Sequence, residues 1–123
     1  MPYLKKIVLI VDDSYLVAER LTAMISELNN VGKIYNAYSV AEALKLLQTT
    51  LPDVILLDIN MPGTSGIELL RFVKSRYPQI IVTMVSNQAN QYYIDLCSKL
   101  GADYFVDKSG CFDRLPAIIS AFE

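Results

Sequence analysis

The chain has 123 residues, of which 53% are hydrophobic and 20% charged, and its formal net charge is −2. A chain of this length can bury one domain core, and without a basic excess direct nucleic-acid binding is not expected. The sequence contains no histidine, which excludes histidine-based triads, imidazole metal ligands and the phosphohistidine role in a relay. Carboxylates, hydroxyls and amines must therefore carry any chemistry.

Five short apolar runs punctuate the chain and predict β-strands. They cover residues 7–11, 33–37, 54–57, 80–85 and 104–106. Each run is followed by a segment with helical periodicity, so that strand and helix alternate five times. This alternation predicts an α/β fold with a parallel sheet covered on both faces, in a doubly wound arrangement.

Apolar positions at helical spacing mark the five predicted helices. They are Val17, Leu21, Met24 and Leu28 in the first helix, Val40, Ala43, Leu44 and Leu47 in the second, Ile67, Leu70 and Val73 in the third, and Leu115, Ile118, Ile119 and Phe122 in the fifth. The fourth helix is predicted from about residue 89 to 100, ending at Gly101. Pro116 fits the fifth helix only within its first turn.

Polar residues that carry chemistry follow four of the five predicted strands. Asp12 and Asp13 follow the first strand, Asp58 the third, Ser86 the fourth and Lys108 the fifth. In a doubly wound sheet the functional crevice lies at the carboxyl ends of the strands. We therefore expect these distant positions to meet in one small site.

A cluster of three carboxylates requires a compensating cation. Two carboxylates about 5 Å apart repel by roughly 3 kcal/mol at an effective dielectric near 20. A metal ion, or the ammonium group of Lys108, would supply the positive charge.

These residues together resemble the receiver domain of bacterial two-component response regulators, over essentially the whole chain. The resemblance rests on the acidic pair, on Asp58 followed by Met61-Pro62-Gly63 and then Gly66, on Ser86 and on Lys108. It implies a single receiver domain over residues 1–123 with a flavodoxin-like strand order of 2-1-3-4-5. Because no output domain follows, we expect a stand-alone regulator similar to the chemotaxis regulators, although an excised receiver would look identical.

The resemblance implies a phosphoacceptor and a metal site. Asp58 would accept a phosphoryl group, and Asp12 and Asp13 would bind Mg²⁺ together with Asp58 and the backbone carbonyl of Asn60. A hard divalent cation would neutralise the repulsion between a carboxylate and an anionic phosphoryl group.

The resemblance also implies a switch. Lys108 and Ser86 would hold the phosphoryl oxygens, and Phe105 would then repack with Ser86 as the switch aromatic. The donor would be a sensor histidine kinase or a histidine phosphotransfer protein. The phosphorylated state would change binding of a target to the face formed by the fourth helix, fifth strand and fifth helix, and it could form a homodimer. Self-phosphorylation and self-dephosphorylation would be the only catalysis, so no separate enzyme activity is expected.

No apolar run approaches the roughly 18 residues of a membrane span, and only Met1 to Lys6 precede the first strand. A cytoplasmic protein without a membrane partner is therefore expected.

Three other functions compete with this interpretation. A phosphatase of the haloacid dehalogenase type needs a second Asp two residues after the first, where Asn60 stands. In a flavodoxin-like FMN carrier, Asp12 and Asp13 would repel the phosphate. A receiver-like interaction scaffold that works without phosphorylation stays open, because Asn87 beside Ser86 could block access to the site.

Each motif also has a purely structural interpretation. The acidic pair could cap the first helix, with Ser14 sharing that role, and Ser86 or Asn87 could cap the fourth. The set as a whole favours the functional interpretation over the structural one.

Overall fold

A computed structural model describes residues 5–61, 63, 65–87, 89–108 and 114–121. Within these residues five strands alternate with five helices. The strands are β1 (Lys6–Val11), β2 (Val31–Ala37), β3 (Val54–Leu57), β4 (Ile81–Ser86) and β5 (Tyr104–Asp107). The helices are α1 (Tyr15–Ile25), α2 (Val40–Leu47), α3 (Gly66–Arg76), α4 (Gln91–Lys99) and α5 (Arg114–Ser120).

The five strands form one parallel sheet in the order β2-β1-β3-β4-β5. The predicted fold class and strand order are confirmed. Val8 of β1 pairs with Ile34 of β2 on one side and with Val54 of β3 on the other. Because the strands are all parallel, their carboxyl ends gather along one edge of the sheet.

Two hydrophobic cores cover the two faces of the sheet. In β3 all four residues are buried, as expected of a central strand in a sheet covered by helices. Ile55 and Leu57 point into the core beneath α2, α3 and α4, whereas Val54 and Leu56 point into the core beneath α1 and α5. The strict alternation follows from the two-residue period of a strand.

A polar side chain caps each of the first four helices. The capping acceptors are Ser14 for α1, Ser39 for α2, Ser65 for α3 and Asn90 for α4. Ser14, which the structural interpretation had offered beside the acidic pair, is confirmed as the cap of α1, whereas Asn90 and neither Ser86 nor Asn87 caps α4. Asp12 takes part in this turn differently, because its Oδ1 accepts a hydrogen bond from the backbone N–H of Ser14 at 2.9 Å.

The largest difference from the predicted elements is at the end of α1. The helix stops at Ile25, and the backbone N–H of Ser26 closes it on Thr22, so Leu28 is not part of the helical stripe. Leu28 still packs against the core beneath α1 and α5, because the following turn folds it back onto that core. Pro116 lies in the first turn of α5 as predicted, and Phe122 lies outside the described residues.

The longest helices, α1 and α3, have 11 residues each. In the part of the chain that the structure describes, no helix combines the length and the apolar composition that crossing a membrane requires.

Candidate functional site

Three residues of the site extend the sheet by one position beyond their strands. Asp12 directly follows β1, Asp58 follows β3 and Lys108 follows β5. Their backbone N–H groups donate to the carbonyls of Ala37, Val11 and Ser86, at 3.1, 3.0 and 2.9 Å. These hydrogen bonds continue the pairing between neighbouring strands at all three residues, so the sheet determines where their side chains begin.

Asp12, Asp13 and Asp58 meet at this edge, as the sequence predicted. One oxygen from each carboxylate lies within 4.8 Å of the other two. Asp12 and Asp58 are 2% and 5% exposed, whereas Asp13 is exposed. A set of oxygen ligands with one side open to water suits a hard cation such as Mg²⁺, which keeps several waters when it binds to proteins. The cluster is therefore compatible with a metal site.

The ammonium group of Lys108 binds two of these carboxylates. Its Nζ lies 2.8 Å from Oδ2 of Asp12 and 3.1 Å from Oδ2 of Asp58, and its side chain is only 12% exposed. One ammonium group cannot neutralise three carboxylates. The remaining negative charge gives the cluster a second reason to attract a cation.

The local charges and the burial shift the pKa values of Asp58 and Lys108. Burial raises the pKa of Asp58, and the charge of Asp12 adds to this effect while Lys108 opposes it. Burial alone would lower the pKa of Lys108, but its hydrogen bond to Asp12 and the charges of Asp58 and Asp12 outweigh burial, so the pKa is raised. Lys108 therefore stays protonated at neutral pH, and its positive charge favours the ionised form of Asp58.

Ser86 and Phe105 lie on one face of the sheet near the cluster. Ser86 is the last residue of β4 and is fully buried, and it pairs with Asp107, the residue before Lys108. It follows Met84 by two residues and so points to the same face. Phe105 is half-buried and packs against the core on that face. The structure thus brings both predicted switch residues to the same face of the sheet.

Asn60 and Asn87 are both exposed at this end of the molecule. Asn60 lies in the loop between β3 and α3, two residues after Asp58. Asn87 directly follows Ser86 and, unlike Ser86, is exposed.

An exposed apolar patch beside the acidic pair was missed by the sequence analysis. Tyr15 is 70% exposed and Leu16 57% exposed, and both belong to the first turn of α1. The ring of Tyr15 packs against that of Tyr38 with the centroids 4.1 Å apart. The available signal was two large apolar side chains directly after Asp12-Asp13-Ser14, outside the apolar stripe of the helix.

Comparison with known proteins gives one family. A model of the response regulator receiver domain matches residues 8–120. A protein-glutamate methylesterase/protein-glutamine glutaminase of Clostridium acetobutylicum is 36% identical over 104 residues, which are 82% of this chain and 30% of that protein. The response regulator GacA of Pseudomonas viridiflava is 30% identical over 116 residues, which are 94% of this chain and 54% of that protein. The chain thus spans about half, or less, of the length of these relatives.

Solved structures agree with the fold. The signal receiver domain of a DNA-binding response regulator from Colwellia psychrerythraea is 30% identical, with a TM-score of 0.86, over 94% of this chain and 95% of that one.

One relative, EvgA of Escherichia coli, is a DNA-binding transcriptional activator that is 26% identical over 113 residues. The expectation of no nucleic-acid binding is therefore not supported for a longer protein that contains this domain.

Proposed function

The chain belongs to the response regulator receiver domain family. We propose that Asp58 is the residue that accepts a phosphoryl group in this domain, and that the charged residues around Asp58 promote the transfer of that group. Receiver domains are phosphoacceptors in two-component signalling, and they act as switches that interact with histidine kinases and downstream effectors. The observation that carries the proposal is the bond of Lys108 to both Asp12 and Asp58, within a cluster of three carboxylates.

The proposed reaction transfers a phosphoryl group from a phosphohistidine. An oxygen of Asp58 attacks phosphorus and a P–O bond forms, while the P–N bond breaks and its electron pair goes to the donor's ring nitrogen; the ring leaves as neutral imidazole because its other nitrogen carries a proton in the reacting phosphohistidine. The ammonium group of Lys108, which contacts Asp58 at 3.1 Å, would bind the phosphoryl oxygens on Asp58, and the hydroxyl of Ser86 would donate a hydrogen bond to one of them.

The carboxylates of Asp12, Asp13 and Asp58, with the backbone carbonyl of Asn60, would hold Mg²⁺. When bound, the ion would reduce the repulsion between the attacking carboxylate and the phosphoryl oxygens. The support for this assignment is the composition of the cluster: oxygen ligands only, an exposed Asp13 that leaves room for water, and more negative charge than Lys108 neutralises.

Phosphorylation of Asp58 would change the surface of the domain through movements of the Ser86 and Phe105 side chains. A bond from Ser86 to the phosphoryl group would move its side chain on the face that also holds Phe105, and repacking of Phe105 would change the surface formed by α4, β5 and α5. A preference of a few kcal/mol for one arrangement is enough to change the affinity for a partner.

Several expectations stay predictions. They are the single domain over residues 1–123, the stand-alone role, the identity of the kinase or phosphotransfer protein, the homodimer on phosphorylation, the lack of a separate enzyme activity and the cytoplasmic location. The longer relatives make the stand-alone role the first of these to examine.

The test is incubation with acetyl phosphate, with and without Mg²⁺, followed by intact mass measurement. We expect a gain of one phosphoryl group that needs Mg²⁺ and is absent from Asp58→Asn. The matched control is Asp53→Asn, since Asp53 lies before β3, at the opposite end of the strand from Asp58. Labelling retained in Asp58→Asn would contradict the assignment, and no labelling of the folded wild type would favour the scaffold that works without phosphorylation.

A further inference from the structure

The first turn of α3 lies directly against the backbone that carries Asp58. The carbonyl of Ile59 accepts a hydrogen bond from the backbone N–H of Gly66 at 2.8 Å and a second from the hydroxyl of Ser65 at 3.4 Å. The same hydroxyl accepts a bond from the backbone N–H of Ile67 at 3.1 Å. Ser65 thus caps α3 and at the same time closes the loop that begins after Asp58.

Gly66 leaves no space for a side chain at this contact. A Cβ atom on Gly66 would lie 1.8 Å from the carbonyl oxygen of Asp58, 2.9 Å from its carbonyl carbon and 3.1 Å from Cα of Ile59. All three atoms belong to the backbone, so the clash cannot be relieved by turning a side chain. Any larger residue must move the chain at Asp58, or the start of α3, by more than 1 Å.

The reason for glycine here is close approach rather than backbone conformation. Gly66 is the first residue of an α-helix, where φ is negative, and it is not among the positive-φ glycines of the described residues. Gly63 in the same loop is the opposite case. It has φ of 80°, and a Cβ there would meet nothing within 4 Å among the described residues.

We infer that Ser65 and Gly66 are positioning residues of the acidic site. The hydrogen bonds of Ser65 and Gly66 to the carbonyl of Ile59, and the close packing of Gly66 on the carbonyl of Asp58, hold the start of α3 against this backbone. They thereby fix the path of the chain from the end of β3 to Asn60. A displacement of this backbone would change the distances from the oxygens of Asp58 and Asn60 to those of Asp12 and Asp13. Because Mg²⁺ demands near-ideal octahedral geometry, such a change would weaken its binding. The inference rests on the proposed function for the identity of the ion.

The test measures metal binding without any phosphodonor. Mg²⁺ affinity is determined by calorimetry, and Mn²⁺ affinity by electron paramagnetic resonance, for the wild type and for Gly66→Ala. We expect Gly66→Ala to weaken binding by about tenfold or more, the range seen when outer-shell groups around a metal are removed. Ser75→Ala is the control: Ser75 is exposed on the same helix α3, outside the contact with Asp58, so the change should alter the affinity by less than about threefold.

Two further variants separate positioning from general destabilisation. Val73→Ala removes a buried side chain of α3 away from the loop, so it should lower the urea midpoint and leave metal affinity within about twofold of the wild type. Ser65→Ala should weaken metal binding, and Ser65→Thr, which keeps the hydroxyl, should restore it. If Gly66→Ala does not fold, the difference in metal affinity between Ser65→Ala and Ser65→Thr tests the positioning role instead.

The outcomes distinguish this inference from the proposed function. Wild-type metal affinity in folded Gly66→Ala, or equal affinities of the Ser65 variants and the wild type, would overturn the positioning role and leave the proposed function intact. Failure of the wild type itself to bind either ion would overturn the metal assignment and this inference together.

Discussion

Replacing Lys108 with methionine removes the ammonium group that contacts both buried carboxylates, Asp12 and Asp58. The substitution keeps a long flexible side chain and eliminates the bonds to Asp12 at 2.8 Å and to Asp58 at 3.1 Å. Removing one partner of a buried ion pair costs roughly 3–5 kcal/mol, because the other partner stays buried without compensation. We therefore expect the free energy of unfolding of Lys108→Met to fall by about 3 kcal/mol at mildly alkaline pH.

The loss should depend on pH, because Asp58 can take up a proton. Burial already raises the pKa of this carboxyl, and removing Lys108 raises it further. A carboxyl whose pKa is higher in the folded than in the unfolded protein stabilises the fold when protonated, and that contribution is lost as the pH rises through the folded-state pKa. Lys108→Met should therefore be closer to wild-type stability in acidic than in alkaline buffer.

Urea unfolding near pH 5 and near pH 8, with and without Mg²⁺, measures both effects. Mg²⁺ should raise the unfolding free energy of the variant more than that of the wild type, because the ion then replaces the positive charge that Lys108 supplied to the cluster. Lys99→Met is the matched control: Lys99 is exposed in the last turn of α4, and its loss should cost less than about 0.5 kcal/mol. Wild-type stability of Lys108→Met near pH 8 without Mg²⁺ would refute the reasoning.

Three further predictions follow from other contacts. Asp13→Ala should abolish most labelling by acetyl phosphate and weaken Mg²⁺ binding measured by calorimetry, since it removes the exposed member of the carboxylate cluster; unchanged Mg²⁺ affinity would exclude Asp13 as a ligand. Thr83→Val should raise the free energy of unfolding in urea by about 1 kcal/mol, because the Thr83 hydroxyl is fully buried and has no hydrogen-bond partner among the described residues; a lower stability would point to a partner for that hydroxyl. Tyr15→Ala should slow phosphotransfer from a phosphohistidine protein by roughly tenfold and leave labelling by acetyl phosphate unchanged, because Tyr15 is exposed two residues after Asp13, where we expect a protein donor to make contact. Tyr92→Ala, at a tyrosine equally exposed on α4, is the control and should leave both rates unchanged.

The sequence was sufficient for the order of the elements and for the place of the site. The four apolar residues of β3 are buried on both faces, and a run of that kind is typical of a central parallel strand. Once the sheet is parallel, the polar residues that directly follow the strands must gather at one edge, so Asp12, Asp58 and Lys108 could be placed together from their positions alone. Local pattern carries this information because it reports which side of each element is buried.

Contacts between segments far apart in the chain could be learned only from the tertiary structure. Examples are the ammonium group of Lys108 shared between Asp12 and Asp58, and the packing of Gly66 against the carbonyl of Asp58. Periodicity indicates the buried side of a helix, but it contains no distances between segments. Those distances depend on how the strands are registered and how closely each helix packs on the sheet, and that close packing is why position 66 leaves no room for a Cβ atom.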